Sequence, residues 1–210
     1  MPLYNPPGYD GWINDTNTWT FSSSTAVTVN ADLTGVIDVG DKIKFNNSTT
    51  KYFYVTSLSV TGGVTTINLT GGTDYSVANS AITLPYYSKA TSPHNFPEWF
   101  NFTPVVTANS GTITTVTASM RFQVVQRNVI FQATITVTTN GTGAGNLICT
   151  VPINLRNNPQ AVGFGRANAV SGKQLQVANQ NAGNVSIWDS TGVYPAASGE
   201  VCLIEGAYEI

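Results

Sequence analysis

The chain has 210 residues, a net charge of −2 and only 10% charged residues, against about 25% in ordinary soluble domains. Thr, Ser, Asn and Gly replace the missing charge, which leaves a polar, nearly uncharged surface suited to an assembly or to sugars and water. Nine Lys and Arg against eleven Asp and Glu give no basic footprint, which argues against nucleic-acid binding, and no apolar run approaches the roughly 18 residues of a membrane helix.

At the start, MPLYNPPGYDGWI lacks a basic segment followed by an apolar one, so no signal peptide is expected. Ala26–Val29 reads as a short strand, and Asp32-Leu33-Thr34 leads into Val36–Val39. Gly40-Asp41 turns the chain into Lys42–Phe45, and Asn46–Thr50 is a polar turn. Next, Tyr52–Val60 and Val64–Leu69, rich in β-branched and aromatic residues, flank Gly62-Gly63. A Gly-Gly pair supplies the positive φ of a tight turn, so this is a β-hairpin. No partner for its Lys51 or Tyr54 is visible in the sequence. Ala81–Leu84 is one more candidate strand, stopped by Pro85.

Residues 86–104, YYSKATSPHNFPEWFNFTP, are rich in Pro and aromatics, and each Pro restricts the residue before it. This marks a linker over 89–103 between a small N-terminal β module, 1–88, and a C-terminal β-sandwich, 104–210. Its Phe96, Trp99 and Phe100 are large enough to pack between domains or subunits. Further on, Arg121–Val125 turns through Gln126-Arg127-Asn128 into a long strand, where Val129, Phe131, Ala133, Ile135 and Val137 alternate with polar neighbours. Leu147, Cys149 and Val151 repeat the alternation, residues 154–184 read as loops with one or two strands, and Val201–Tyr208 is the last strand. The predicted fold class is all-β: a barrel-like N-terminal module followed by an antiparallel, jelly-roll-like β-sandwich.

No constellation for catalysis is visible. His94 is the single histidine, no Gly-x-Ser-x-Gly elbow surrounds any serine, and Gly163, Gly165 and Gly172 form no phosphate loop and read as turn markers. Asp38 and Asp41 flanking Gly40 read as a turn rather than a calcium site, and no metal site or cofactor is expected. Glycosidases need a carboxylate pair. Glu200 and Glu205 are five residues apart and face opposite sides of a strand, and nothing gathers Asp189 or Glu98 to them. Two cysteines, Cys149 and Cys202, are too few for a disulfide scaffold or a zinc site and read as buried free thiols. What remains is a set of aromatics beside amides and hydroxyls: Trp12, Trp19, Trp188 and Tyr194. Sugars stack their C–H faces on such rings, and Trp188 and Tyr194 are the candidate glycan contacts. The competing reading puts Trp188 on the core side of its strand.

The phrases GWI (Gly11–Ile13), NTWTF (Asn17–Phe21), DLTGVIDVGDKIKF (Asp32–Phe45), TKYFYVTSLSV (Thr50–Val60), TTINLTGGTDYSVANSAIT (Thr65–Thr83), PYYS (Pro85–Ser88) and FPEWF (Phe96–Phe100) follow one another in order. In this, residues 8–104 resemble modules of tailed-bacteriophage virion proteins. The C-terminal half is similar in style to the β-sandwich tips of tail fibres, its strand start being Gln126-Arg127-Asn128-Val129-Ile130 and its end Gly206-Ala207-Tyr208. The resemblance implies a homotrimeric virion structural protein. Its N-terminal module would attach to other virion proteins, and its C-terminal domain would be displayed toward host cell-surface carbohydrate. It carries over no catalytic residue. A capsid decoration or head-fibre protein and a polysaccharide depolymerase are the alternatives.

Overall fold

The computed structural model describes residues 9–156 and 161–210. The first eight residues, on which much of the signal-peptide reading falls, and 157–160 of the expected loop region lie outside the described residues. The described residues contain strands, turns and no helix, so the chain is all-β. Its contacts divide it into two units: unit 1 holds the residues up to Gly71 with Tyr75–Glu98, and unit 2 holds Gly72–Asp74 with Trp99–Ile210. Of the segment expected as a linker, residues 89–98 thus belong to unit 1 and residues 99–103 to unit 2.

Unit 1 has seven strands: β1 (Ile13–Asn14), β2 (Trp19–Ser23), β3 (Ala26–Val29), β4 (Lys42–Asn47), β5 (Thr49–Thr61), β6 (Val64–Thr70) and β7 (Thr83–Ser88). They form one antiparallel sheet in the order β1-β7-β4-β5-β6-β3-β2. The β5–β6 hairpin closes with Thr61 opposite Val64, and Gly62 and Gly63 take φ of 60° and 78°, as a tight hairpin turn requires. Along β6 Thr65, Ile67 and Leu69 are buried and their neighbours are not, so the period of two faces the core. Phe45 stacks on Phe53 at 5.1 Å between ring centres, inside a cluster with Val27, Ile43, Val55 and Ile67.

Two expectations change here. Val36–Val39 forms no strand. Asp32 Oδ1 accepts from the Thr34 amide at 3.0 Å and its hydroxyl at 2.6 Å, and the Val36 and Ile37 amides donate back to Leu33 O, giving a turn that buries Ile37. Nor does Pro85 stop its strand; it lies inside β7. The pairing of β4 with β7 shifts register between Lys44 and Asn46, and Leu84 takes φ of 51°, so the proline sits in a bulge where no ladder N–H is needed. Its carbonyl still accepts from the Asp15 amide at 2.9 Å.

Unit 2 has nine strands: β8 (Phe100–Phe102), β9 (Val106–Ser110), β10 (Thr115–Val125), β11 (Asn128–Thr139), β12 (Ala144–Thr150), β13 (Ala161–Ala167), β14 (Gln174–Asn181), β15 (Asn184–Asp189) and β16 (Glu200–Glu209). They make one continuous antiparallel sheet, β8-β10-β11-β16-β13-β14-β15-β12-β9, and the edge strand β9 comes back near β10, so the sheet is curled on itself. Its inner face is the core: Phe122, Phe131, Ile135, Leu147, Val185 and Ile187 are fully buried. The alternation in β11 runs as the sequence predicts, Val129 to Val137 inward.

Gly163 and Gly165 lie within β13 and are not the turn markers expected. They face inward, where β13 and β16 approach closely. A Cβ on Gly163 would stand 2.1 Å from Glu205 O, and one on Gly165 2.2 Å from Leu203 O. Only glycine allows that approach, which marks a bend in the sheet. Gly165→Ala is expected to lower the unfolding free energy by about 1–3 kcal/mol, the range for overpacking. Urea titration checks this; a midpoint equal to that of the parent would contradict the close approach.

Candidate functional site

Register places one row of side chains across the outer face of the unit 2 sheet. Asn101 of β8 pairs with Arg121, Arg121 with Gln132, Gln132 with Glu205, Glu205 with Phe164, Phe164 with Gln176, and Gln176 with Trp188 of β15. Because side chains alternate, the partners in each of these pairs share a face, the one opposite Phe131, Ile204, Val177 and Ile187. Trp188 is therefore not on the core side of its strand: the buried Val185 and Ile187 are, and Trp188 is half-buried on the other face.

Between β10 and β13 this face holds an open depression of about 680 Å³, lined by Asn101, Arg121, Thr134, Phe164, Arg166, Leu203 and Glu205 among others. Phe164 is 65% exposed and Leu203 42%, unusual in a chain whose other large rings are mostly covered. At one end Arg121 is held in place: its Nε and Nη2 donate to Gln132 Oε1 at 2.8 and 2.6 Å, and its guanidinium carbon lies 4.7 Å from the centre of the Trp99 ring. Gln132 Nε2 in turn donates to Glu205 Oε2 at 3.4 Å, so cation, amide and carboxylate form one polarised chain. Asn101 is clamped by Asp74, whose oxygens accept from its amide N–H at 2.8 Å and its Nδ2 at 3.0 Å. Such a surface can stack an apolar ring face on Phe164 and offer donors and acceptors on both sides of it.

The other sequence candidates fall elsewhere. Trp12 and Trp19, expected as exposed aromatics, are 6% and 3% exposed; their indole N–H groups donate to His94 O at 2.9 Å and Asp15 Oδ2 at 2.8 Å. Tyr194 is not on β15 with Trp188 but in the segment after it. Its hydroxyl donates to Asn140 Oδ1 at 2.6 Å, and burial pushes its pKa up to about 12. Phe96 packs in unit 1 against Tyr54, 5.0 Å between ring centres, and against Trp12; Phe100 is fully buried in unit 2, 5.8 Å from Phe122. Lys51, without a partner visible in the sequence, donates to Ser76 O at 2.6 Å and Asn47 Oδ1 at 3.2 Å. Lys89 reaches both Asp38 and Asp41, at 2.9 and 2.8 Å, and so stands where a cation between them would be. His94 is exposed and lies between Pro93 and Asn95 in unit 1.

The carboxylates are dispersed. Glu205 is exposed on the outer face, while Glu200 is fully buried on the inner one, as their odd spacing requires. Glu200 accepts from the amides of Ala169, Val170 and Ser171 at 2.9–3.1 Å and so fastens the β13–β14 turn. Asp189 is likewise enclosed, by Lys173 Nζ at 2.7 Å, the Thr191 hydroxyl at 2.7 Å and the Val193 amide at 2.9 Å, and the first of these leads in holding its carboxyl well below the usual range. Glu98 is exposed in unit 1. Both cysteines are free and buried, and desolvation raises each thiol to about 12, so neither is a ready nucleophile.

Sequence reasoning missed Phe164, Arg166 and the Arg121–Gln132–Glu205 chain. The signal was present in Gly163-Phe164-Gly165-Arg166, an alternation in which the inward residue is glycine. No family model matches the chain, and neither a curated protein nor a solved structure matches it.

Burial raises the Glu200 carboxyl, but the amide bonds outweigh it and hold its pKa below the ordinary value. Its stabilising contribution is thus complete above the unfolded-state pKa and is lost as pH falls through the lower folded value. Glu200→Gln is expected to destabilise by about 2 kcal/mol at neutral pH, typical for charge-assisted hydrogen bonds. Urea midpoints should show that gap closing with acidification; a gap independent of pH would contradict the charged nest.

Proposed function

We propose that the chain is a virion structural protein of a tailed phage whose unit 2 adheres to saccharide on the host surface through the outer row of its sheet. The observation that carries the adhesion reading is the row itself. An exposed Phe164 stands between Glu205 and Gln176, in register with Trp188 two strands away and with Arg121 and Gln132 on the other side. Two strand spacings separate Phe164 from Trp188 by about 10 Å, so two rings with amides between them offer an extended rather than a pocket-like contact. Stacking of sugar C–H faces on rings, with amides bonding the hydroxyls, is the physics such a surface serves.

The virion reading draws its support from the phrases over residues 8–104 and from the low charge and Thr/Asn/Gly-rich composition. A homotrimer fits it, since weak single-site contacts would be multiplied by copy number, with avidity gains of about 10²–10⁴. A depolymerase is the less favoured reading, because Glu200 and Glu205 lie on opposite faces of β16.

Binding of the full chain to an array of host-surface glycans tests the adhesion. Phe164→Ala is expected to reduce retention about tenfold or more, and Trp188→Ala to weaken it further, with unfolding midpoints little changed for Phe164→Ala because the ring is exposed. Retention that survives both substitutions would remove the row as the contact surface.

A further inference from the structure

Building on the adhesion reading, we infer that the saccharide taken by the outer face of unit 2 is acidic, and that Arg166 holds its carboxylate beside Phe164. Phe164 and Arg166 are two residues apart in β13, so they share the outer face about 7 Å from each other. Arg166 is exposed and, among the described residues, its side chain makes no hydrogen bond or ion pair. Cationic side chains elsewhere are engaged: Lys89 with Asp38 and Asp41, Arg156 with Glu209, Lys173 with Asp189, and Arg121 with Gln132.

The charge in the depression is therefore uneven. Arg121 and Arg166 are both in its lining, against the single carboxylate of Glu205. Register sets Glu205 across from Phe164 and Leu203 across from Arg166, and no ion pair joins Arg166 to Glu205 among the described residues. A guanidinium is a planar fork whose best complement is a carboxylate bound through two N–H groups. A uronic-acid-type sugar with its ring face on Phe164 places an acid group within reach of Arg166. Gln176, on the far side of Phe164, and Glu205 then accept or donate to hydroxyls, and Glu205 repels an acid that enters in the reverse orientation. A neutral sugar would use the ring and the amides and leave Arg166 idle.

The test is retention of the full chain on immobilised saccharides in matched pairs, each uronic-acid member beside its methyl ester. The expected result is at least about tenfold preference for the acid form, the factor typical of a charged hydrogen bond. That preference should disappear in Arg166→Gln and weaken as salt is raised. Phe164→Ala should lose both forms. Arg166→Gln should unfold at the parental urea concentration, since the side chain makes no internal bond among the described residues. Equal retention of acids and esters, sensitive to Phe164→Ala but not to Arg166→Gln, would overturn the acid preference and leave adhesion standing. Retention of no member would overturn both. Phe164→Ala acting only on self-association, read by sedimentation, would assign the face to contact between copies and overturn both as well.

Discussion

Everything distinctive about unit 2 depends on one constraint, the antiparallel register held across the middle of the sheet from β8 through β10, β11, β16, β13 and β14 to β15, its shifts confined to strand ends at Thr115/Val116, Ala161/Gly163 and Asn179/Asn181. Side chains in a sheet have a period of two, so a slip of one residue anywhere along that path would exchange the faces. Held in register, Phe131, Ile204, Val177 and Ile187 go inward, and Gln132, Leu203, Gln176 and Trp188 go outward. The apolar inner face sets the register, and the outer row inherits its alignment from it. The glycines at Gly163 and Gly165 serve the same constraint, since they let β13 approach β16 while the sheet bends, and they leave only outward side chains on that stretch.

With so few charges, the fold secures several loops by enclosing single acids and amides, alongside ion pairs such as Lys89 with Asp38 and Asp41 and Lys173 with Asp189. Glu200 collects the amides of the β13–β14 turn, Asp189 collects Thr191 and Val193, and Asp74 clamps Asn101. In unit 1, Asn47 is fully buried and its Nδ2 donates to Ser80 Oγ at 2.8 Å while its Oδ1 accepts from the Ala78 amide at 2.7 Å. Buried polar groups of this kind are worth most when every lone pair and N–H has a partner. The Glu200 and Asn47 anchors sit away from the outer row, while the Asp74 clamp fixes Asn101 at its β8 end.

The legible part of the sequence was the part written in side-chain alternation. Ala26–Val29 and the Gly62-Gly63 hairpin appear as read, and the β11 alternation is found on the inner face. Asp32 and Thr34 override the apolar run at Val36–Val39, because a side-chain acceptor captures the local amides first. Pro85 is tolerated inside β7 because a bulge removes the need for its N–H. The site was less legible than the fold. Trp12 and Trp19 look like free rings beside amides, yet each indole N–H finds a long-range or local oxygen that permits burial. Phe164 is the reverse case: Gly-x-Gly-x reads as a loop, and only the pairing with β16 shows that the glycines face inward and the ring outward. The convergence of Arg121, Gln132 and Glu205 is also a product of pairing between distant segments, which no local pattern encodes.

The most direct measurement of the central claim is amide and side-chain chemical-shift mapping of the labelled full chain during titration with a carboxylated oligosaccharide. Saturable shifts should gather on the outward residues of β10, β11, β16, β13, β14 and β15, with Phe164, Arg166 and Gln176 among the largest. Saturable shifts gathered instead in unit 1, or around Tyr194 and the Asn140–Gly143 turn, would contradict it.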